Sequence, residues 1–350
     1  MAGTRALITE EPNNEVKFLI GKEFFGDGFS HTDGFARFAS YFEFHAKEVR
    51  ELQFSRFQGA NQTAELAIKT YQDLADVIHV LRENPAYTRP DIRAELQKKL
   101  SHNGDVAINR AIDICLRWWL MLNLREDMFK GLGSGRPSFQ WDDSTQLRNY
   151  VGELFPRSKW QLGRKESRLA PEFTVAYMHN VCKLRIRWTS SLEDHLRLQI
   201  RDEKTLWIFP YKACLVAWLH GRNSNKDACA SLLSRELLRE TIRSLNLLFP
   251  VGTKADDTEK FLHEEAQTFQ SIGPFESSNS LMDFDHWRDR LLDLHEMVFL
   301  NQPFTIKRFW QGLQDPEKFM NFWVVLVLIS GLTLVSTIAS IIQAVKAFQA

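Results

Sequence analysis

The spacing of apolar residues along the chain predicts a mainly helical protein. In one segment after another an apolar residue recurs every three to four positions, which is the repeat of a helix with one buried face. These stripes predict helices over 34–57, 60–83, 89–100, 105–124, 144–155, 173–181, 211–220, 237–248, 256–269 and 281–302. For the first of them Asp33 is the expected cap, and its stripe of Phe35, Phe38, Phe42, Val49 and Leu52 predicts core packing.

Two of the helices carry more specific signals. Thr88 and Asp91 have the three-residue spacing of a capping box, in which each side chain satisfies a backbone N–H of the first turn. The helix over 105–124 is apolar on nearly every side, which predicts a central position and burial of Trp118, of Trp119 or of both. Its polar strip of Asn109, Arg110, Asp113 and Arg117 reads either as a polar site or, as we prefer, as a solvated edge.

Between about 183 and 209 the pattern changes to strict alternation. Leu184, Ile186 and Trp188 alternate with basic residues, a second run over 196–200 alternates likewise, and 205–209 is a third short run. A period of two is typical of half-buried strands. We therefore predict one small antiparallel β-sheet at about 183–209, which is the only β structure expected.

The longest apolar stretch lies between Lys318 and Lys346. The 27 residues 319–345 carry no charge, and 322–329 is wholly apolar. A helix that crosses a bilayer needs about 20 mostly apolar residues. The predicted fold class is therefore a mainly α, helical body with the small sheet and a C-terminal transmembrane helix.

Charge near this segment predicts which side of the membrane the body occupies. Lys307, Arg308 and Lys318 precede the segment, whereas Lys346 alone follows it. The first 17 residues lack the apolar core of a signal peptide. We expect a tail-anchored, single-pass protein whose body faces the cytosol, in the endoplasmic reticulum or another endomembrane.

Turn-rich stretches divide the chain into segments. The predicted organisation is a loose N-terminal segment 1–33, a helical subdomain 34–130, a linker and short helix 131–171, an α+β subdomain 172–270, a helical juxtamembrane segment 271–318 and the transmembrane helix 319–345. A stripe of small residues runs along the last segment and two residues beyond it: Ser330, Thr333, Thr337, Ser340, Ala344 and Ala347. Such a stripe lets two spans approach closely, although small residues are also common there by chance.

The composition and the residue spacing disfavour several classes of ligand. The 44 basic and 44 acidic residues balance, so nothing global favours nucleic acid. The four cysteines lack zinc-site spacing, and Cys115, Cys182 and Cys214 lie in apolar segments typical of buried thiols. The glycines of 131–137 lack dinucleotide spacing. We accordingly predict no cofactor, no metal and no nucleic-acid partner.

Three constellations carry candidate chemistry. Asp194 beside His195 could orient a general base, but neighbours on a strand face opposite ways, so we favour a hydrogen-bonding structural histidine. His286, Asp289 and Asp293 could hold a metal, although a solvated helix face is the favoured interpretation. The basic residues that can share one sheet face, and so favour anionic lipid or an acidic protein, are Arg185, Arg187, Arg197 and Arg201.

Several blocks resemble a large family of fungal (ascomycete) membrane proteins. The blocks are 107–113, 117–123, 187–196, 240–250 and 287–295, within a resemblance that covers roughly 70–345. The chain departs from the family pattern at Arg117-Trp118-Trp119, where Arg-Leu-Trp is more usual, and at 314–318, where a basic stretch is usual. The resemblance implies a helical cytosolic body with a C-terminal transmembrane segment, and it implies no established activity.

Two classes of function follow from the sequence. The favoured one is a non-enzymatic, membrane-anchored, cytosol-facing scaffold or regulatory protein. The alternative is a membrane-bound accessory enzyme of a specialised-metabolite pathway that uses the neighbourhood of His195 or His286. Membrane lipid is the expected partner, together with a protein partner or a second copy bound through the transmembrane helix.

Overall fold

A computed structural model of the chain describes its residues in eleven ranges. These are 7–8, 10–29, 34–57, 66–100, 104–123, 141–159, 168–200, 203–220, 232–250, 255–264 and 278–300. The chain divides into two compact units, Met1–Met297 and Val298–Ala350, and the description below concerns the first. The segment boundaries predicted from the sequence stay predictions.

The segment 319–345, with its stripe of small residues, lies outside the described residues, as do Asp33 and the glycine loop 131–137. Among the helices that the structure describes, none combines the length and the apolar character that crossing a membrane requires.

The first unit is mainly helical, as predicted, and carries one small sheet. The α-helices are α1 Asn14–Phe25, α2 Gly34–Arg37, α3 Ala39–Phe57, α4 Tyr71–Glu83, α5 Arg89–Lys99, α6 Asp105–Leu120, α7 Leu147–Glu153, α8 Val175–Asn180, α9 Lys212–His220, α10 Arg235–Leu248, α11 Ala255–Glu264 and α12 Arg288–His295. The strands are β1 Arg185–Trp188, β2 Arg197–Ile200 and β3 Lys204–Ile208. Short 3-10 turns lie at Gly26–Gly28, Leu192–Asp194 and Leu281–Asp283, and a π-helical turn spans Glu296–Leu300.

Capping residues decide where two helices begin. The predicted capping box of α5 is confirmed, because the Asp91 carboxylate accepts hydrogen bonds from Thr88 N at 3.0 Å and from Thr88 Oγ1 at 2.7 Å. Helix α4 begins at Tyr71, later than the predicted residue 60, because Thr70 caps it and accepts from Asp73 N at 3.2 Å. The described residues before that cap, 66–69, are not helical.

Helix α6 lies at the centre of the helical part, where it packs on α4 and α5. Both Trp118 and Trp119 are buried, which confirms the prediction. The predicted solvated edge is wrong, because neighbouring helices cover it and supply opposite charges. Asp113 Oδ2 lies 2.6 Å from the Arg89 guanidinium of α5, and Arg117 Nε lies 2.6 Å from Glu48 Oε2 of α3.

Aromatic residues of α1 and α3 form a second part of the core. The predicted stripe packs inward, with Phe38, Phe42, Val49 and Leu52 buried, although the helix is broken at Phe38 into α2 and α3. His45 on α3 is also fully buried there. This cluster reaches α9, where Trp218 Nε1 donates to Phe24 O at 3.2 Å.

The sheet is mixed, so the predicted antiparallel sheet is wrong in its topology. Its strand order is β1-β3-β2, with β3 antiparallel to β2 and parallel to β1. A short turn joins β2 to β3 and makes that pair a hairpin. The longer segment 189–196 between β1 and β2 lets the chain return, so that β3 pairs in parallel with β1. Leu206 lies opposite Ile186 on one side and Leu198 on the other.

The predicted helix over 281–302 is shorter than expected. Leu281–Asp283 is a 3-10 turn, and the α-helix begins only at Arg288. The apolar residues of the predicted stripe that fall in the first unit are nevertheless buried: Leu281, Phe284, Trp287, Leu291 and Leu294. The sequence stripe therefore identified the inward-facing residues correctly but not the backbone that carries them.

Candidate functional site: a buried polar network around His195

His195 lies between the 3-10 turn Leu192–Asp194 and strand β2, and it is 0% exposed. The alternating pattern predicted a strand there, with His195 on the polar face. Leu196 instead adopts a left-handed backbone conformation with φ 59°, which breaks the alternation. The imidazole consequently points into the protein, toward α10.

The hydrogen bonds of His195 assign its tautomer. The backbone N–H of Phe209 donates to Nδ1 at 3.2 Å, so Nδ1 carries no proton. The proton is therefore on Nε2, which donates to Ser244 Oγ at 2.7 Å, and that hydroxyl donates to Thr241 O at 2.8 Å. Burial, aided by the positive charge of Arg290, lowers the pKa of His195 to about 3. The ring is thus neutral and hydrogen-bonded at both nitrogens.

Trp287 packs against the imidazole ring of His195. The indole ring lies 5.2 Å from the imidazole centroid in an edge-to-face arrangement. Its Nε1 donates to Thr241 Oγ1 at 2.8 Å, and that hydroxyl donates to Leu237 O at 2.7 Å. The contact joins the segment before α12 to α10, with His195 between them.

Arg290 holds the backbone on either side of Asp194. Its guanidinium lies 5.0 Å from the Trp287 ring centroid, and Nη1 donates to Glu193 O at 2.7 Å and to His195 O at 2.5 Å. Burial lowers the pKa of Arg290, while the carboxylates of Asp194 and Glu193 act in the opposite direction. Asp194 in turn pairs with Arg197 at 3.1 Å, so it does not orient the imidazole beside it in sequence.

Glu240 of α10 binds the backbone just before α12 begins. Its buried carboxylate accepts from His286 N at 2.7 Å and from Trp287 N at 3.3 Å, which satisfies N–H groups ahead of the first turn of α12. Burial raises the pKa of Glu240, and the same backbone hydrogen bonds oppose that rise. This carboxylate explains why the helix begins here and not at residue 281.

Two of the three residues considered for a metal site, His286 and Asp289, have other partners. His286 Nδ1 donates to Phe155 O at 2.8 Å, and its Nε2 lies 3.4 Å from Ser234 Oγ. Asp289 accepts a hydrogen bond from Ser158 Oγ. Within the ranges that the structure describes, no group of three or more His, Cys, Asp or Glu residues is placed to hold a metal ion.

The predicted basic face of the sheet is confirmed for two of its four arginines. Trp207 on the central strand lies between Arg187 and Arg197, whose guanidinium carbons are 5.6 and 5.7 Å from its ring centroid. Arg185 pairs with Glu203, and Arg201 lies outside the described residues. Two of the four arginines thus stack on one indole, which orders the face but also engages its charges.

Three distant segments converge at His195. They are 193–197, 234–246 and 285–290, and they fall largely within the blocks 187–196, 240–250 and 287–295. Sequence patterns pointed to the Asp194–His195 pair, but they did not identify Ser244, Glu240 or Arg290 as its neighbours. One signal was present, since α10 places polar residues among the leucines of its buried stripe. The arrangement links separate backbone segments. Arg290 donates to backbone carbonyls, Glu240 accepts from backbone N–H groups, and Asp194 pairs with Arg197.

Comparison with known proteins adds no assignment. No family model matches the chain, and neither the curated proteins nor the solved structures contain a match. The resemblance to fungal membrane proteins therefore stays a prediction.

Proposed function

We propose that this protein is a non-enzymatic scaffold or regulatory protein, held at a membrane by residues 319–345 with its body in the cytosol. The observation that carries the proposal is the uncharged run of 27 residues, which is long enough to cross a bilayer as a helix. Lysine and arginine residues precede this run more often than they follow it, which favours a cytosolic body.

The chemistry of the body supports a non-enzymatic role. A general base must come within hydrogen-bond reach of the proton that it abstracts. His195 is fully buried and both its nitrogens are engaged by Phe209 N and Ser244 Oγ. His286 Nδ1 is likewise engaged by a backbone carbonyl. Both histidines named for the enzyme alternative thus have structural partners.

Replacement of the tail tests the anchoring. We compare the full chain, a chain lacking 319–345, and a chain in which an unrelated transmembrane helix replaces 319–345. Cell fractionation should place the first and third with membranes and the second in the soluble fraction. Protease added to intact microsomes should digest the body of both membrane-bound chains. A protected body, or membrane retention without the segment, would contradict the proposal.

Proximity labelling from the body then tests the scaffold role. If the tail is only an anchor, the unrelated helix should restore the same protein neighbours at the same membrane. Loss of those neighbours with the unrelated helix would mean that 319–345 itself binds a partner. The enzyme alternative is tested by comparing metabolite turnover in cell extracts that contain the wild type or His195→Gln. Turnover that is lost in His195→Gln would favour an enzyme.

We also propose that two copies of the protein associate through the segment 319–345. Leucine at Thr337 and Ser340 should block close approach of two spans while preserving insertion. The matched control places leucine at Val335 and Ile342, which the repeat of the proposed helix would place on another face. Crosslinking of two differently tagged copies should fall for the first pair only. Equal crosslinking at equal insertion would leave the segment as a plain anchor.

A further inference from the structure

A small cleft with a cationic lining lies at the beginning of α9, away from His195. Arg37 at the end of α2 and Lys212 at the first position of α9 both line it. Three hydroxyl-bearing residues, Ser40, Tyr41 and Tyr211, line it as well, and the Tyr41 hydroxyl donates to Trp118 O. Among the residues that the structure describes, no carboxylate lines the cleft. It opens to solvent, and its enclosed part has room for about one water molecule. A ligand can therefore insert one small polar group.

Lys212 is a buried cation without a carboxylate partner in the part of the chain that the structure describes. The residue is 5% exposed, and Nζ donates to Asn246 Oδ1 at 2.7 Å. Burial lowers the pKa of this lysine. A buried charge is normally stabilised by an opposite charge, because an amide oxygen alone replaces little of its hydration. The site therefore favours the arrival of an anion.

Arg37 adds a second positive charge to the same cleft. Its Nε is buried and has no hydrogen-bond partner within the described ranges. The guanidinium lies 6.0 Å from the Phe38 ring centroid, and its charge counteracts the effect of burial on the pKa of Cys214, another residue of the lining. The positive end of the α9 dipole lies at the cleft as well, since α9 starts at Lys212.

Two carboxylates near the cleft do not neutralise it. The charges of Glu48 and Glu43 both act on Tyr211. Glu48 is paired with Arg117, with Nε and Oε2 2.6 Å apart. Glu43 is exposed, where solvent screens its charge. The described residues that line the cleft thus supply two cations, the hydroxyls of Ser40 and Tyr211, and a helix N-terminus.

We propose that this cleft binds a phosphate group between Arg37 and Lys212. Phosphate offers several acceptor oxygens and up to two negative charges, which match a guanidinium, an ammonium and two hydroxyl donors. The small enclosed part has room for one phosphate oxygen, and the rest of the phosphate and of a larger ligand stays at the open mouth of the cleft. The phosphate can belong to a soluble ion or ester or to a phospholipid headgroup. This inference does not depend on the proposed function.

Titration of the full-length protein in detergent micelles tests the proposal. Inorganic phosphate is added at constant ionic strength, with chloride as the comparison ion, and heat of binding and melting temperature are recorded. Arg37→Gln and Lys212→Met are the test variants. Arg148→Gln and Lys99→Met are the matched controls, because both residues are exposed and lie outside the cleft. Circular dichroism checks that each variant keeps its helical content.

A second arm distinguishes the source of the phosphate. The same proteins are floated with phosphatidylcholine vesicles, with and without phosphatidic acid. We expect saturable binding in one or both arms, weakened about tenfold or more by Arg37→Gln and unchanged in the controls. Binding to vesicles alone would identify a lipid headgroup, and binding of free phosphate a soluble ligand. If Lys212→Met does not fold, Arg37→Gln decides.

The proposal fails if neither phosphate nor phosphatidic acid binds. It also fails if binding is the same in Arg37→Gln as in the wild type, since basic residues elsewhere, such as Lys307 and Lys318, would then account for it. Neither outcome would alter the tail-replacement results, so the two proposals can fail separately.

Discussion

Replacing His45 with phenylalanine should make the protein less sensitive to acid. His45 is fully buried on α3, between Trp118, whose ring centroid is 4.6 Å away, and Tyr71 at 5.9 Å. Neither ring nitrogen has a hydrogen-bond partner within the described part of the chain. Burial lowers the pKa of His45 from 6.5 to about 3. The folded protein thus keeps this ring neutral at pH values where an unfolded chain protonates it.

The sign and size of the effect follow from proton linkage. Between pH 6.5 and 3 the unfolded chain binds more protons than the folded one, so stability is lost as the pH falls. At pH 5 this difference amounts to about 2 kcal/mol for one such histidine, compared with less than about 0.1 kcal/mol at pH 7.5. The figure depends on the unfolded pKa alone, as long as the folded value lies well below 5. His195, also with a lowered pKa, contributes a similar loss.

Chemical denaturation at pH 7.5 and pH 5, followed by tryptophan fluorescence, measures the effect. His45→Phe should remove about 2 kcal/mol of the acid-induced loss and leave the share of His195. At pH 7.5 the variant should be about 1 kcal/mol more stable than the wild type, because two buried unpaired nitrogens are gone. His79→Gln, at an exposed position of α4, is the control and should behave like the wild type.

A second variant, His45→Leu, guards against overpacking by the larger ring. If both variants lose as much stability between pH 7.5 and pH 5 as the wild type does, His45 is not a buried neutral group. The reasoning about its pKa would then be refuted.

Two further predictions concern the core and the His195 network. Trp119→Ala should lower the free energy of unfolding, measured by denaturant titration, by about 3–5 kcal/mol, and Trp119→Phe should lower it less. If Trp119→Ala unfolds like the wild type, α6 is not central to the core. Ser244→Ala should cost about 1–3 kcal/mol, because it leaves the buried Nε2–H of His195 without its acceptor, whereas Arg239→Ala on the same helix should change unfolding little.

The sequence predicted local features well, because local physics decides them. The capping box of Thr88 and Asp91 depends on residues three positions apart, and it is present. The stripe of α6 predicted burial from helical spacing alone, and Trp119 is buried. In both cases the residues that determine the outcome are neighbours in the chain or on one helix face.

Features that depend on distant partners were missed. The parallel pairing of β1 with β3 was not predicted, because alternation identifies strands but not their neighbours. The polar strip that contains Asp113 was predicted to be solvated, because the sequence of α6 does not show that Arg89 of α5 pairs with Asp113. His195 was noticed because an aspartate precedes it, yet its actual partner Ser244 is 49 residues away. The left-handed conformation of Leu196, which turns the imidazole inward, has no signal in a residue type that rarely adopts it.

The bonds from Arg290 to Glu193 O and His195 O cannot form during synthesis until residue 290 has been made. They link residues 97 and 95 positions apart. Ribosomes add about 5–20 residues per second, so roughly 5–20 s pass between the synthesis of His195 and that of Arg290. The hairpin of β2 and β3 can form in that interval, since such pairs close within microseconds. The side of His195 that Trp287 covers in the folded protein has no indole against it until residue 287 has been made.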